Sequence, residues 1–286
     1  MTVVRTIAEC RAERAKLGKL ALVPTMGALH KGHLSLIEYA KTSAPHTVVS
    51  IFVNPTQFGP REDFTNYPRP IETDLEKCAK LGVDLVFNPA PEEMYPSQLS
   101  PVIVDLPQLT DVLEGKHRPG HFKGVCQIVA KLFNIIQPQV ACFGAKDFQQ
   151  LRVLTAMVEA LDWPIEVMGC PTVRDPDGLA MSSRNAYLSP DERERALSIS
   201  RALMLANGEV QEGERRANRI IAGIQNTILE VGQLGRVPLS IDYVAAVDPL
   251  TLKNVENIAA PTVLAIAARV GKTRLIDNMV VTPPVS

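Results

Sequence analysis

The stretch LALVPTMGALHKGHLSLIEYAKT, residues 20 to 42, carries three kinds of local order in immediate succession. Leu20, Ala21, Leu22 and Val23 form a short apolar run of strand character, bounded by Pro24. From Leu34 to Thr42 apolar residues return at spacings of three and four, the period of a helix. The ten residues Pro24 to His33 are therefore a strand-to-helix turn. A helix N-terminus presents unpaired N–H groups and the positive end of a dipole, Gly27 and Gly32 permit close backbone approach, and the imidazoles of His30 and His33 can donate to phosphate oxygens. That combination reads as a cradle for a nucleotide phosphate. The same residues would also suit a loop with two surface histidines, or a zinc pair. A zinc site needs further ligands, and the nearby sequence offers no acid or cysteine at metal spacing.

Outward from this turn the pattern repeats. Leu20 to Val23, Val48 to Val53, Leu85 to Phe87, Val102 to Val104, Val140 to Phe143 and Ile165 to Met168 read as strands. Leu34 to Thr42, Ile71 to Leu81, Val125 to Ile136 and Phe148 to Leu161 read as helices between them. The alternation predicts an α/β fold with a Rossmann-like, doubly wound parallel sheet, in which ligands bind beyond the carboxyl ends of the strands. After about Val173 the character changes: Asp175-Pro176-Asp177-Gly178 is a dense turn signal, and no apolar period follows until Tyr187. Ser189-Pro190-Asp191-Glu192 then supplies a capping serine, a proline at the first helical position and a capping-box glutamate. The helix it opens should run to about Ala206, and a second should span about Arg215 to Val231. Ile241 to Val247, Val263 to Val270 and Arg274 to Ile276 complete a smaller α+β C-terminal domain. The expected division is residues 1–174 and residues 175–286.

The chain has 286 residues, enough for one large domain or two, and its 46% hydrophobic and 21% charged composition is that of a folded globular protein. Thirty basic against 31 acidic residues leave a net charge of -1. No global basic field exists for nucleic acid or an anionic membrane, so phosphate recognition has to be local. Five cysteines, Cys10, Cys78, Cys126, Cys142 and Cys170, form no C-x-x-C pair. They read as buried, reduced thiols in a cytoplasmic protein. Charged residues from Arg5 to Lys16 occupy the place of a signal-peptide core, and no run approaches the roughly 20 apolar residues of a membrane span.

Other positions add chemistry. In Gly144-Ala145-Lys146-Asp147, just past a strand, the lysine can reach a phosphate and the aspartate can accept from a ribose hydroxyl. Met181-Ser182-Ser183-Arg184 offers two hydroxyls and a guanidinium to phosphates. Gln57 and Gln150 each follow a strand and could serve a small ligand carrying hydroxyls and a carboxylate, although alone they read as ordinary polar loop residues. In RPGHF, residues 118–122, Pro119-Gly120 prevents His117 and His121 from sharing a helical zinc face, and Arg118 and His121 read as structural or pocket-lining. Gly271-Lys272-Thr273 imitates the end of a P-loop, but the earlier glycine is Ile266, so a tight hairpin is the better reading.

Strand then PTMGALHKGH resembles the His-x-Gly-His signature of the nucleotidyltransferases, a superfamily related to class I aminoacyl-tRNA synthetases. Its longer form resembles the pantoate–β-alanine ligase family. The likeness continues in order through IFVNPTQF (51–58), YPR (67–69), RPGHFKGV (118–125), FGAKDFQQL (143–151), GLAMSSRN (178–185) and TRLIDN (273–278). It departs little: Ala145 stands where an acidic residue is common, and Lys123 occupies a variable position.

The resemblance implies an ATP-dependent ligase that activates pantoate as an adenylate and passes the acyl group to β-alanine, with ATP as substrate and Mg²⁺ required. His30, His33, Lys146, Ser182, Ser183 and Arg184 would stabilise the phosphate charge. ATP would touch Met26, Gly27, Ala28, Leu29, His30, Lys31, Gly32 and His33, then Gly144, Ala145, Lys146, Asp147, Val173, Met181, Ser182, Ser183 and Arg184. Gln57 and Gln150 would hold pantoate, Gln57 would also meet β-alanine, and Asn54 is a weaker candidate for that pocket; no side chains are assigned as metal ligands. Met181 to Arg184 resembles a shortened Lys-Met-Ser-Lys-Ser loop of the synthetases, which makes residues 175–286 a lid. A cytoplasmic homodimer acting on small molecules, without nucleic acid or membrane, completes the expectation. Another adenylating enzyme would lack the two glutamine segments, and a non-catalytic nucleotide sensor would not need the intact His, Lys and Ser-Ser-Arg elements.

Overall fold

The computed structural model describes residues 1–60, 62–233 and 237–284. It divides into two compact units: residues 1–111, 118–145 and 150–171 form the first, and residues 112–117, 146–149 and those from Thr172 onward form the second.

The first unit is a six-stranded, all-parallel sheet. Its strands are β1 (Thr2–Val4), β2 (Leu20–Thr25), β3 (His46–Ile51), β4 (Leu85–Phe87), β5 (Val140–Gly144) and β6 (Glu166–Cys170), in the order β1-β4-β3-β2-β5-β6. The longer crossover helices are α1 (Ile7–Arg14), α2 (Lys31–Ser43), α3 (Ile71–Lys80), α7 (His121–Ile136) and α8 (Phe148–Ala160); α4 (Pro91–Met94), α5 (Pro107–Thr110) and α6 (Glu114–His117) are single turns. Leu20 to Val23 are wholly buried, as a central parallel strand covered on both faces requires. Helix α7 is the most apolar of the covering helices and buries Phe122, Val125, Val129, Leu132, Phe133 and Ile136. Its C-terminus is closed from α1, whose Arg14 donates from Nε to the Ile136 carbonyl at 2.7 Å and from Nη2 to the Gln137 carbonyl at 3.0 Å. The order of strands reverses between β2 and β5, so the topological switch point lies beyond Thr25 and Gly144.

One strand expectation is corrected. Val102 to Val104 forms no strand: Val102 and Ile103 are exposed, and the Val102 carbonyl accepts from Gln127 Nε2. The sheet edge beyond β4 is already occupied by Thr2–Val4, which pairs with Leu85–Phe87 in parallel register. An apolar, β-branched run becomes a strand only where an unpaired edge receives it.

The second unit carries an antiparallel sheet of β7 (Leu239–Val247), β8 (Thr262–Val270) and β9 (Thr273–Val281), with helices α9 (Pro190–Gln211) and α10 (Ala217–Gln233). Ser189 and Glu192 make the expected reciprocal capping box. Ile199, Leu203, Ile220, Ile224 and Ile228 bury themselves with Leu264 and Ile266 of β8. Strands β8 and β9 join across Gly271-Lys272, a two-residue hairpin with Gly271 at φ 58°, which disposes of the P-loop imitation. Strand β9 runs past the expected Ile276 because Asp277 and Asn278, turn formers by propensity, find partners for their side chains elsewhere in the unit. Among the described residues no helix is long and apolar enough to cross a membrane.

All five cysteines are free and buried. Burial pushes the thiols of Cys10 and Cys78 up to about 11 and that of Cys126 up to about 12. A thiol-selective reagent at pH 8 should therefore leave Cys10, Cys78 and Cys126 unlabelled in the native protein and reach all five in denaturant. Stoichiometric labelling of those three in the native chain would contradict this packing.

Candidate active site

The turn after β2 is held by its own unit. Gly27 at φ 83° and Ala28 at φ 51° reverse the chain before α2. Asp74 of α3, only 1% exposed, accepts from the N–H of Ala28 at 2.7 Å and from that of Leu29 at 2.8 Å. Gly27 donates its N–H to Thr25 Oγ1 at 3.1 Å, and Lys77 Nζ donates to the Leu29 carbonyl at 2.6 Å. A Cβ on Gly27 would lie 3.1 Å from both Asp74 and Ile51, so tight space adds to the preference for glycine that φ imposes.

His30 is the N-cap of α2. Its Nδ1 accepts from the Gly32 N–H at 3.2 Å, and His33 Nδ1 accepts from the His30 N–H at 3.3 Å, a capping box made by two imidazoles. A ring nitrogen that accepts carries no proton, so each neutral imidazole holds its hydrogen on Nε2. The ring centroids are 4.1 Å apart. Two imidazoles thus stand in the first turn of a helix beyond the central strand, a setting suited to anionic oxygen. This differs from the expectation of unpaired amides, because the N–H groups of Gly27, Ala28, Leu29, His30 and Gly32 already have acceptors inside the unit. The donor capacity of the turn passes to its side chains. Lys31, the first helical residue, is exposed.

Beyond β3, Asn54 and Gln57 bracket a single 3-10 turn, Pro55–Gln57, and both side chains are buried. Asn54 Nδ2 donates to Gln57 Oε1 at 3.1 Å and to the Gly124 carbonyl at 3.0 Å, while Asn54 Oδ1 accepts from Tyr95 Oη at 2.8 Å. Gln57 Nε2 points at Met26 Sδ, 3.0 Å away. The structure therefore brings Gln57, Asn54 and Met26 of the phosphate turn together. Gln150 lies in the first turn of α8 and is partly buried. Its neighbour Gln149 is the more buried of the two and has a structural task, accepting from the Glu114 N–H at 2.9 Å and donating to the Val112 carbonyl at 2.8 Å.

Lys146 and Asp147, which belong to the second unit, end the 3-10 turn Ala145–Asp147, with Lys146 Nζ 3.9 Å from Asp147 Oδ1. The Lys146 carbonyl accepts from Asn278 Nδ2 of β9 at 2.7 Å. The neighbouring Asp277 takes two bonds from Arg174, at 2.6 and 3.0 Å, and Arg174 also donates to the Gly178 carbonyl at 3.2 Å. Met181 donates its N–H to the Val173 carbonyl at 3.0 Å, and Arg174 bridges to Ala180, so residues 173–181 fold as a short antiparallel loop. Ser182 then caps the 3-10 turn Ser183–Tyr187 by accepting from the Arg184 N–H at 3.3 Å. In the same unit, Glu114 receives Arg274 Nη1 at 2.6 Å, Arg274 Nη2 at 2.8 Å and Tyr243 Oη at 2.9 Å. Burial, then the Glu114 carboxylate, hold the Tyr243 hydroxyl well above its ordinary pKa. Asp74 and Glu114 were not singled out by sequence reasoning, and nothing in their local spacing marks them; Asp277 and Asn278 lie in the TRLIDN segment, which was given no role. Among the described residues no group of three or more His, Cys, Asp or Glu side chains is placed to hold a metal ion.

An all-parallel α/β unit with such a donor-bearing turn at its switch point defines the class as nucleotide-handling. The chain belongs to the pantoate–β-alanine ligase family, whose model matches residues 2–280. It is 50% identical over 287 residues to the pantothenate synthetase of Desulforapulum autotrophicum, covering 99% of each chain. It is 49% identical over 284 residues to that of Clostridium botulinum, covering 97% of this chain and 98% of the other. The crystal structure of pantothenate synthetase from Thermus thermophilus superposes with a TM-score of 0.93 at 44% identity, covering 99% of this chain and 100% of that one. The Francisella tularensis pantoate–β-alanine ligase, solved as a complex with β,γ-ATP and β-alanine, gives 0.79 at 33% identity, covering 98% and 97%.

Removing the Asp74 carboxylate strands two buried N–H groups at roughly 1–3 kcal/mol each. Asp74→Ala should lower unfolding free energy in urea by about 2–6 kcal/mol, and Asp74→Asn, which keeps one acceptor oxygen, by about half as much. An Asp74→Ala protein of wild-type stability would mean that the turn does not depend on this carboxylate.

Proposed function

We propose that the chain joins pantoate to β-alanine at the expense of ATP, giving pantothenate, AMP and diphosphate, with the residues above in the following roles. A carboxylate is a poor acyl donor because its leaving group would be oxide. The pantoate oxygen therefore attacks the α-phosphorus and expels diphosphate; the β-alanine amine, having shed a proton, then attacks the acyl carbon and expels AMP. No enzyme side chain becomes covalently attached.

The observation that carries the residue assignment is the reciprocal cap of His30 and His33, which fixes both imidazoles in the first turn of α2 beyond the central strand. Both donors are fixed before substrate arrives, so they can stabilise charge developing on phosphate oxygens without reorganisation. Lys146, Ser182, Ser183 and Arg184 add point charge and hydroxyl donors for the α-phosphate and the departing diphosphate, and Gly144, Ala145, Asp147, Val173 and Met181 complete the nucleotide contacts. Gln57 and Gln150 bind pantoate, with Gln57 also near β-alanine; the contact of Gln57 with Met26 supports an acid subsite beside the phosphate turn. The Francisella relative complexed with an ATP analogue and β-alanine supports the same pair of ligands.

Mg²⁺ belongs to this reading. The donors assigned here are cationic or neutral, apart from the half-exposed Asp147, which fits an ion carried mainly by phosphate oxygens and water. When bound, it would neutralise charge on the triphosphate. A cytoplasmic homodimer, and residues 175–286 acting as a lid that shields the adenylate from water, rest on the family resemblance and complete the proposal.

AMP release should require ATP, Mg²⁺, pantoate and β-alanine together in a coupled assay; production of ADP and phosphate instead would exclude adenylation. His33→Ala should slow single-turnover adenylate formation by about 10²- to 10³-fold. The same variant should lose only about 1 kcal/mol of stability through the missing cap. Unchanged adenylation would remove His33 from the chemistry.

A further inference from the structure

His121 begins α7 and is 9% exposed, between two groups whose donor and acceptor roles are fixed by their chemistry. Its Nδ1 lies 2.8 Å from the backbone carbonyl oxygen of Gln57, which can only accept. Its Nε2 lies 3.0 Å from Arg118 Nη1, which can only donate. The ring is therefore neutral with its proton on Nδ1, the opposite tautomer to the one that capping imposes on His30 and His33. Arg118 is itself fixed, since its Nε and Nη2 donate to the two oxygens of Glu62 at 2.8 and 2.7 Å. A charged pair thus stands behind a neutral imidazole, and the imidazole holds the main chain at Gln57.

The far side of the same turn is gripped as well. The Gly124 carbonyl, one helical turn beyond His121, accepts from Asn54 Nδ2, and a Cβ on Gly124 would overlap the Thr56 carbonyl. With its backbone fixed by His121 and its Oε1 by Asn54, the Gln57 amide has its Nε2 directed toward Met26. We propose that His121 is a positioning residue for the acid subsite: locked as the Nδ1–H tautomer by Arg118 and Glu62, it sets the Gln57 backbone and so aims the amide that meets the pantoate. The proposal rests on the assignment of Gln57 to pantoate. Arg118 and Glu62 act through the imidazole and touch no substrate.

The donor at Nδ1 and the acceptor at Nε2 can be removed separately. Asparagine places its amide nitrogen near the Nδ1 position, whereas glutamine reaches only toward the Nε2 position. His121→Ala and His121→Gln should raise the KM for pantoate about tenfold, the cost of one lost hydrogen bond of about 1.4 kcal/mol, while the KM for ATP stays within about twofold. His121→Asn should return the pantoate KM to within about threefold of wild type. Equal effects of all three variants on both substrates would reduce His121 to a structural residue and overturn the proposal. Gln57→Ala is the control for the underlying assignment. If it leaves pantoate KM unchanged, the acid subsite and the positioning role fall together; if it raises pantoate KM and His121→Ala does not, the positioning role alone falls. Nitrogen-15 NMR of the wild-type chain gives a reading that needs no variant to fold for its outcome. Of its five histidines, His121 should be a neutral ring protonated on Nδ1, its signals assigned by through-space contacts to neighbouring residues. A cationic ring or an Nε2–H tautomer at neutral pH would overturn the proposal.

Discussion

Two backbone N–H groups, those of Ala28 and Leu29, end on the single buried carboxylate of Asp74. The turn between β2 and α2 has two consecutive left-handed residues, one of them an alanine, and such a conformation persists only when its surroundings over-determine it. The carboxylate does so from α3, in the next crossover of the sheet. With the turn fixed, His30 falls at the N-cap of α2 and His33 at the third helical position, where each imidazole accepts one of the helix's orphan N–H groups. The tautomers of both rings follow from that. Changing Asp74 would thus act on the histidines without touching them.

The second unit solves a related problem with ion pairs. Glu114, 6% exposed, is paired by Arg274, which also donates to Asp242 Oδ2 at 2.7 Å. Buried pairs of this kind contribute little net stability over apolar packing, but losing one partner is costly because the other charge is left behind. Their effect here is geometrical. They seat residues 112–117 on the antiparallel sheet, Gln149 is held by that segment, and Asn278 of β9 fixes the carbonyl of Lys146. One residue earlier on β9, Asp277 grips Arg174 at the start of the loop that leads to Ser182 and Arg184. Two adjacent polar residues on one strand therefore serve both cationic segments of the unit.

Gln57 illustrates how a neutral side chain acquires a defined direction. Its amide could rotate freely on an exposed loop, yet its carbonyl is taken by His121 and its Oε1 by Asn54. The donor end is directed at Met26 Sδ. Gly124 permits this by letting α7 approach the turn more closely than any side chain would allow.

Much of the local order was readable in the chain, although the strand Thr2–Val4 and the helix Ile7–Arg14 were not read from it. The alternation of apolar strands with helical periods, the strand-to-helix turn at Pro24 to His33, the capped helix after Ser189 and the ordered motifs of the family all depend on near neighbours in sequence, where residue type and spacing suffice. Whether a segment finds an edge, and which distant group meets a buried donor, depends on the assembled sheet. Val102 to Val104 had the composition of a strand and lost the edge to Thr2–Val4. Asp277 and Asn278 had the composition of a turn and became strand because their side chains met Arg174 and the Lys146 carbonyl. Asp74 stands 46 residues from Ala28, and only tertiary structure could bring its carboxylate there, since one carboxylate in an amphipathic helix looks like any other until the amides it must satisfy are in place.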